Sequence, residues 1–110
     1  MLLAGDIGGT KTNLAIIDPA GGVGKTVAEA TFPSGRYPSL ESIVQQFLNQ
    51  TGIEVSRASF GVAGPVVGGR ATITNLPWVM DEHNLQRAFD LEAVYLLNDL
   101  VSIAYAVPHL

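Results

Sequence analysis

The chain has 110 residues, 47% of them hydrophobic and 15% charged, a balance that is typical of a folded globular domain and excludes a disordered one. A formal net charge of −4 with only 6 basic residues leaves no cluster that could neutralise phosphates, so we expect no nucleic-acid partner. The absence of cysteine excludes disulfides and thiolate metal sites. No apolar run has membrane-spanning length, and Asp6 comes too early for a signal-peptide core, so we expect a cytoplasmic protein with no membrane partner.

The first half of the chain predicts three strands followed by a helix. The strands form an antiparallel meander, and the second of them is expected to be buried on both faces. Turn residues at 19–24 separate the second strand from the third. From residue 40 the apolar period changes to that of a helix, with Ser39 as its N-cap and Gly52 at its C-terminus. The predicted strands are residues 2–7, 12–18 and 25–32.

The second half of the chain continues with alternating strands and helices. Residues 57–64 predict a fourth strand, and a short helix at 81–89, capped by Asp81, leads to a fifth strand at 92–99 and the opening of a third helix. The predicted order is β-β-β-α-β-α-β-α, an α/β unit whose mixed sheet has five or more strands flanked by helices. Because the last helix is cut short at Leu110, we expect the chain to be part of a longer protein.

The bend between the first two strands carries an unusual set of side chains. Gly8 and Gly9 have no side chain to block an anion from main-chain N–H groups, and Thr10 and Lys11 add a hydroxyl and a positive charge. Asp6, at the end of the preceding strand, could hold a hydrated cation that bridges phosphate oxygens. The spacing matches neither a P-loop nor a dinucleotide fingerprint. The alternative interpretation is an ordinary glycine hairpin in which Asp6 accepts turn hydrogen bonds.

A second polar pair follows the fifth strand, in the stretch "LLNDL" at residues 96–100. Ligands in α/β sheets bind outside the carboxyl ends of strands, which is where Asn98 and Asp99 fall. Asn98 could contact a hydroxylated ligand, and Asp99 could accept a proton from an attacking hydroxyl. The alternative is that one of these residues caps the helix that follows, and the two roles are compatible.

A third stretch, "GVAGPVVGGRATITNLPW" at residues 61–78, is rich in turn signals. Gly64 predicts a tight exit from the fourth strand, and the glycines at 68–69 predict a hairpin. Asn75 has two interpretations that stay open, a turn-forming residue of the loop or a contact to a ligand. Trp78, the single tryptophan, is interpreted as a packing residue.

Four motifs in order resemble one family. The sequences "GDIGGTKTNLAIID", "FGVAGPV", "TNLPW" and "LLNDL…AYAVP" are similar, in this order and spacing, to those of bacterial glucokinases. That family belongs to the superfamily of sugar kinases, actin and heat-shock ATPases. The resemblance covers nearly the whole chain. It favours the glucokinase branch over the related repressor and sugar-kinase branch, whose members more often carry "NLPGW".

The resemblance implies a role for each matching residue. Asn98 matches the family's ligand to a sugar hydroxyl, and Asp99 matches its catalytic base for the 6-hydroxyl. Gly64 and Asn75 match positions near the sugar. No catalytic role is assigned to the lysine of the glycine bend, and metal contact through Asp6 would be by water only. The residues that match the motif facing the phosphates of ATP and Mg²⁺ are Asp6, Gly8, Gly9, Thr10 and Lys11.

The resemblance also implies a fold and an activity. The family has two ribonuclease-H-like lobes, as in actin-like ATPases, and residues 1–110 correspond to the N-terminal small lobe without the second lobe. The implied reaction is ATP-dependent phosphorylation of glucose, giving glucose 6-phosphate and ADP. We expect the isolated lobe to be inactive or nearly so. We also expect it to associate, for example as a homodimer, through the apolar surface that would face the missing lobe.

Three other functions compete with glucose phosphorylation. The longer protein could phosphorylate another hexose, such as mannose or an N-acetylhexosamine, since the residues that would select the sugar fall largely outside this chain. It could be a sugar-responsive regulator without catalysis, but the intact Asp99 argues against that. It could be an actin-like filament subunit, which would leave the pair at positions 98–99 without a purpose.

Overall fold

A computed structural model describes residues 1–19, 25–73 and 76–98, and for Asn98 it describes the backbone alone. The predicted strands and helices are confirmed in type and order over these ranges. The predicted turn at 19–24, apart from its first residue, and the third helix lie outside the described residues. The elements are β1 (Leu2–Ile7), β2 (Lys11–Asp18), β3 (Lys25–Pro33), a 3₁₀ turn (Ser34–Arg36), α1 (Leu40–Thr51), β4 (Arg57–Val62), β5 (Val66–Val67), β6 (Arg70–Thr72), β7 (Val79–Asp81), α2 (Glu82–Ala88) and β8 (Ala93–Asn98).

The main sheet has five strands in the order β3-β2-β1-β4-β8. β1, β2 and β3 pair antiparallel, which confirms the predicted meander. β4 pairs parallel to β1 and β8 pairs parallel to β4, so the sheet is mixed. Parallel neighbours require a crossover connection, and the segments between β1, β4 and β8 each contain a helix that supplies it.

One face of the main sheet carries the hydrophobic core. The apolar stripe of α1 is buried at Leu40, Ile43, Val44 and Phe47, as its period predicted, and Leu48 is partly buried beside it. Fully burying one such side chain is worth about 1.5–3 kcal/mol relative to leaving it exposed. The residues that the main sheet contributes to the same core are Leu3, Ile7, Leu14, Ile16, Phe32, Ala58, Phe60, Val62, Val94 and Leu96.

The prediction that β2 is buried on both faces is confirmed on the core side but wrong over part of the other face, where Asn13 is exposed and Ala15 is only partly buried. Thr12, Leu14 and Ile16 are buried on the core side. On the opposite side Ile17 is buried, but Asn13 is exposed. The Asn13 side chain there accepts a hydrogen bond from the Thr31 hydroxyl of β3 at 2.7 Å. The polar end of β2 therefore lies on a solvated part of the sheet.

The predicted helix boundaries are confirmed by their caps. Ser39 Oγ accepts a hydrogen bond from the Ser42 N–H at 3.2 Å, and Gly52 has a φ of 64° while its N–H donates to the Leu48 carbonyl. In α2, Asp81 Oδ1 accepts from the Asn84 N–H at 3.1 Å. Side chains of this type satisfy N–H groups that have no partner within the helix.

A second, three-stranded antiparallel sheet has the order β5-β6-β7. The predicted hairpin between β5 and β6 is confirmed, since Gly68 and Gly69 both have positive φ, 59° and 75°, as a type I′ turn requires. The sequence did not predict β7, because three residues are too few to show a period. β4 ends at Val62, two residues earlier than predicted, where the chain turns toward this small sheet.

Among the described residues, no helix is both long enough and apolar enough to cross a membrane.

Candidate active site

The carboxyl ends of three parallel strands lie side by side at one edge of the main sheet. The register pairs Ile7 with Val62 and Val62 with Asn98, so β1, β4 and β8 end at the same level. Strands are about 4.8 Å apart, which puts the β1 and β8 ends about 10 Å from each other. The edge therefore brings together the glycine bend, the exit from β4 and the backbone of Asn98, which are far apart in sequence.

The glycine bend is a tight turn between β1 and β2. The Gly8 N–H donates to the Lys11 carbonyl at 2.9 Å and closes the turn. A Cβ on Gly8 would lie only 3.0 Å from that same carbonyl oxygen, so the turn favours glycine at this position. Thr10 and Lys11 are exposed, and Gly8 and Gly9 are partly exposed. The Thr10 and Lys11 residues and part of the surface of the two glycines are thus accessible to a ligand.

Asp6 is exposed one residue before the end of β1. Its register partners are Asn13 of β2 and Gly61 of β4, so the carboxylate stands between two residues that are small or polar. Over the described ranges no three His, Cys, Asp or Glu side chains group in a way that could hold a metal ion directly. A carboxylate at this position can contact the hydration shell of a cation that phosphates also bind.

Two buried hydroxyl residues support the bend from inside the protein. Ser34 Oγ donates to the Gly8 carbonyl at 2.7 Å, and the Ser34 N–H donates to the Thr10 carbonyl at 3.0 Å. Thr12 Oγ1 lies 2.8 Å from Ser34 Oγ, and both side chains are fully buried. Sequence reasoning missed both residues. Thr12 stands at a core-facing position of β2, which is a weak signal, and nothing in the sequence pairs it with a serine 22 residues away.

Gly64 follows β4 where the chain passes close to β6. A Cβ at this position would lie 2.6 Å from the Thr72 carbonyl oxygen, which is backbone and cannot swing away. Gly64 therefore allows the small sheet to approach the exit of β4. This packing requirement is independent of the predicted proximity to a ligand.

Glu82, the first residue of α2, holds β8 in place. Its Oε2 accepts from the Leu96 N–H at 2.7 Å, and its own N–H donates to the Gly69 carbonyl at 2.9 Å. Among the described strands β8 is the outer one of the main sheet, so this N–H has no neighbouring strand there to bond. The contact fixes β8 two residues before Asn98. The sequence analysis did not identify Glu82, since a glutamate at the start of a helix is ordinary.

Trp78 is buried, with its side chain 2% exposed, and its Nε1–H donates to the Tyr37 carbonyl at 2.9 Å. The interpretation of this residue as a packing residue is confirmed. Asn75 and Asp99 lie outside the described residues, as does the side chain of Asn98.

Three surface clefts of about 410, 410 and 390 Å³ lie elsewhere on the molecule. One is on the outer side of the small sheet, one lies beside the end of α1, and one is at the amino end of β1. None of them includes a residue of the glycine bend. At the carboxyl edge of the main sheet, where β1, β4 and β8 end, Asp6, Thr10 and Lys11 are exposed.

The fold is that of sugar kinases with the actin-like ATPase architecture. A crystal structure of glucokinase from an Antarctic psychrotroph superposes on 99% of this chain with a TM-score of 0.86 and 34% identity. A glucokinase of the ROK family from Streptomyces griseus, solved in complex with glucose and AMPPNP, shares the fold with a TM-score of 0.66 at 21% identity.

The Glucokinase family model matches residues 3–110, and the chain belongs to that family. It is 38% identical over 109 residues to the glucokinase of Nostoc punctiforme and 35% identical over 116 residues to that of Synechocystis. These matches cover 97% and 96% of this chain but only 32% and 33% of the relatives. The chain thus spans about a third of the length of the curated relatives that it matches.

Proposed function

We propose that residues 1–110 are the N-terminal lobe of a two-lobed sugar kinase. The full-length protein would transfer a phosphoryl group from ATP to the 6-hydroxyl of glucose, giving glucose 6-phosphate and ADP. The observation that carries this proposal is the register of β1, β4 and β8, in a chain of the glucokinase family. This register puts the end of β1, where the glycine bend begins, about 10 Å from the end of β8, which precedes Asp99.

The nucleotide side of the site is the glycine bend. The exposed Thr10 and Lys11 and the partly exposed Gly9 fit the phosphates of ATP, and Asp6 fits the hydration shell of Mg²⁺. When bound, Mg²⁺ would neutralise charge that develops on the phosphate oxygens. Gly8 and Gly9 would let the backbone approach the phosphates closely. Lys11 is assigned electrostatic attraction and no proton transfer.

The sugar side of the site is the end of β8. The Asn98 amide would bind a sugar hydroxyl, and Asp99 would accept the proton of the 6-hydroxyl as that oxygen attacks the terminal phosphorus. Gly64 and Asn75 would lie near the sugar. The Glu82 carboxylate holds β8 at Leu96, so the strand that leads to Asn98 and Asp99 has a fixed position.

Phosphoryl transfer depends on positioning and on exclusion of water, and one lobe supplies only one wall of a cleft. The exposure of Asp6, Thr10 and Lys11 leaves room for a second wall supplied by further sequence. We therefore expect the 110-residue chain alone to be inactive or nearly so, and to self-associate through the apolar surface that the second lobe would cover. The full-length enzyme would act in the cytoplasm.

The test uses the gene product read to its natural stop codon. ADP release is followed with MgATP and glucose, mannose or N-acetylhexosamines, beside Asp99→Asn. Glucose turnover that falls at least about a thousandfold in Asp99→Asn, with unchanged folding, is expected of a catalytic base. Asp90→Asn is the matched control, because Asp90 is exposed at a φ of 52°, which asparagine also adopts.

Each other outcome contradicts a definite part of the proposal. Turnover with a different hexose would replace glucose as the substrate. A folded protein that binds a sugar but never releases ADP would instead be a sugar-responsive regulator. Turnover by the 110-residue chain at a rate typical of kinases would refute the two-lobe requirement.

A further inference from the structure

We propose that Ser34 is a positioning residue for nucleotide binding: it orients the Gly8–Gly9 peptide so that the Gly9 N–H faces the phosphate oxygens of the nucleotide. This proposal rests on the proposed function, which assigns the glycine bend to the phosphates. It adds a residue that lies outside the bend and is fully buried, so that it would act on the nucleotide only through the bend.

The buried hydrogen bonds behind the glycine bend have a fixed direction. A serine hydroxyl has a single proton, and Ser34 Oγ donates it to the Gly8 carbonyl at 2.7 Å. In the 2.8 Å contact between Thr12 and Ser34, Thr12 Oγ1 must then be the donor. The chain of bonds runs in one direction, from Thr12 through Ser34 to Gly8. Linked hydrogen bonds of this kind strengthen one another in a low-dielectric interior.

The bond to the Gly8 carbonyl fixes the plane of the peptide between Gly8 and Gly9. The described residues contain no cis peptide bond, so the Gly8 carbonyl and the Gly9 N–H point in opposite directions. The carbonyl points inward, to a fully buried hydroxyl. The Gly9 N–H therefore points away from the buried side, toward the exposed face of the bend. Without a partner for the carbonyl, this flexible pair of glycines could rotate the peptide.

Ser34 is itself held in place by two backbone hydrogen bonds. Its backbone N–H donates to the Thr10 carbonyl at 3.0 Å, and its carbonyl accepts from the Tyr37 N–H at 3.2 Å. One residue thus contacts the bend on both sides of Gly9. An N–H that is held in direction before the ligand arrives binds an anion without an added ordering cost.

The experiment compares four variants of the full-length protein. Ser34→Ala removes the central hydroxyl, Thr12→Val removes the outer hydroxyl at similar volume, and Thr12→Ser keeps that hydroxyl. Ser59→Ala is the matched control: Ser59 is also a buried serine, 3% exposed, and its Oγ has no hydrogen-bond partner among the described residues. For each variant, the KM values for MgATP and for glucose are measured, and MgATP binding is measured by calorimetry.

We expect Ser34→Ala to raise the KM and the dissociation constant for MgATP about tenfold, the effect of one lost hydrogen bond, while the KM for glucose changes less than about twofold. Thr12→Val should shift the same constants about threefold. Thr12→Ser and Ser59→Ala should stay within about twofold of the wild type. The selective change in the nucleotide constants separates positioning from a general loss of stability.

Equal changes in both KM values, or unchanged MgATP binding in folded Ser34→Ala, would overturn the proposal. If Ser34→Ala does not fold, Thr12→Val decides by the same criteria. A wild-type protein that binds MgATP but phosphorylates no sugar would refute the proposed function. The role of Ser34 would then be decided by the calorimetric MgATP binding of Ser34→Ala and the other variants alone. A wild-type protein that does not bind MgATP would refute both.

Discussion

The two ends of the carboxyl edge are supported in different ways. At the glycine bend, the support is a pair of neutral hydroxyl groups that are fully buried, Ser34 and Thr12. At β8, the support is one carboxylate, that of Glu82, which is only partly buried. The neutral pair can be buried at little cost because both hydroxyls are hydrogen-bonded, whereas a carboxylate keeps part of its charge in water.

The two supports also belong to different parts of the molecule. Ser34 directly follows β3, so the bend is supported from within the antiparallel meander. Glu82 begins α2 and also bonds the turn between β5 and β6, so β8 is supported from the small sheet. Changes at sites that share no partners are usually additive. The nucleotide half and the sugar half of the proposed site should therefore respond separately to substitution.

The largest effect is expected for Gly64→Ala, which acts where the small sheet meets the main sheet. The new Cβ would lie 2.6 Å from the Thr72 carbonyl oxygen, and we expect a loss of about 2–3 kcal/mol in the free energy of unfolding, measured in urea. Gly35→Ala is the control, because a Cβ there has no atom within 4 Å. A loss below about 0.5 kcal/mol would show that the loop can move away from β6.

An intermediate effect is expected for Glu82→Ala, which removes the support of β8 alone. The lost hydrogen bond between a carboxylate and a backbone N–H should lower the free energy of unfolding by about 2 kcal/mol. In the full-length protein, the KM for glucose should rise while the KM for MgATP stays constant. Glu82→Gln, which keeps an acceptor oxygen, should recover more than half of both effects. A rise in the KM for MgATP would show that the two supports are coupled.

The smallest effect is expected for Ser39→Ala, which lies outside both supports. Loss of the N-cap of α1 should lower the free energy of unfolding by about 1 kcal/mol and shift neither KM. Thermal unfolding together with steady-state kinetics checks this. If Ser39→Ala changed one KM as strongly as Ser34→Ala or Glu82→Ala, general destabilisation would explain those changes and the comparison would fail.

The helices and the hairpin could be predicted because their signals come from residues close together in the sequence. α1 was found from its period and from Ser39 and Gly52 at its ends, and α2 from Asp81. The hairpin was found from two glycines that the turn requires to have positive φ. These signals fall within a few residues of one another, so they survive in the sequence without knowledge of the fold.

The supports of the site could not be predicted in the same way. The bond from Ser34 to Gly8 spans 26 residues, and the bond from Glu82 to Leu96 spans 14. Neither residue type is unusual where it stands, and the pairing exists only once the strands have been ordered as β3-β2-β1-β4-β8. The parallel register that aligns the strand ends is likewise a long-range property. The predicted binding and catalytic roles stay predictions for all the site residues, those of the glycine bend and Gly64 as well as Asn75, Asn98 and Asp99.

The bond between Glu82 and Leu96 has a consequence for solubility. An outermost strand presents unpaired backbone groups to which a strand of another molecule can add, and this is a common route to aggregation. On β8, the N–H of Leu96 is already bonded to a charged side chain of the same molecule. A strand that approached β8 would have to displace this carboxylate before it could bond the Leu96 N–H. The contact that fixes β8 thus also occupies one backbone donor that a strand of another molecule could otherwise bond.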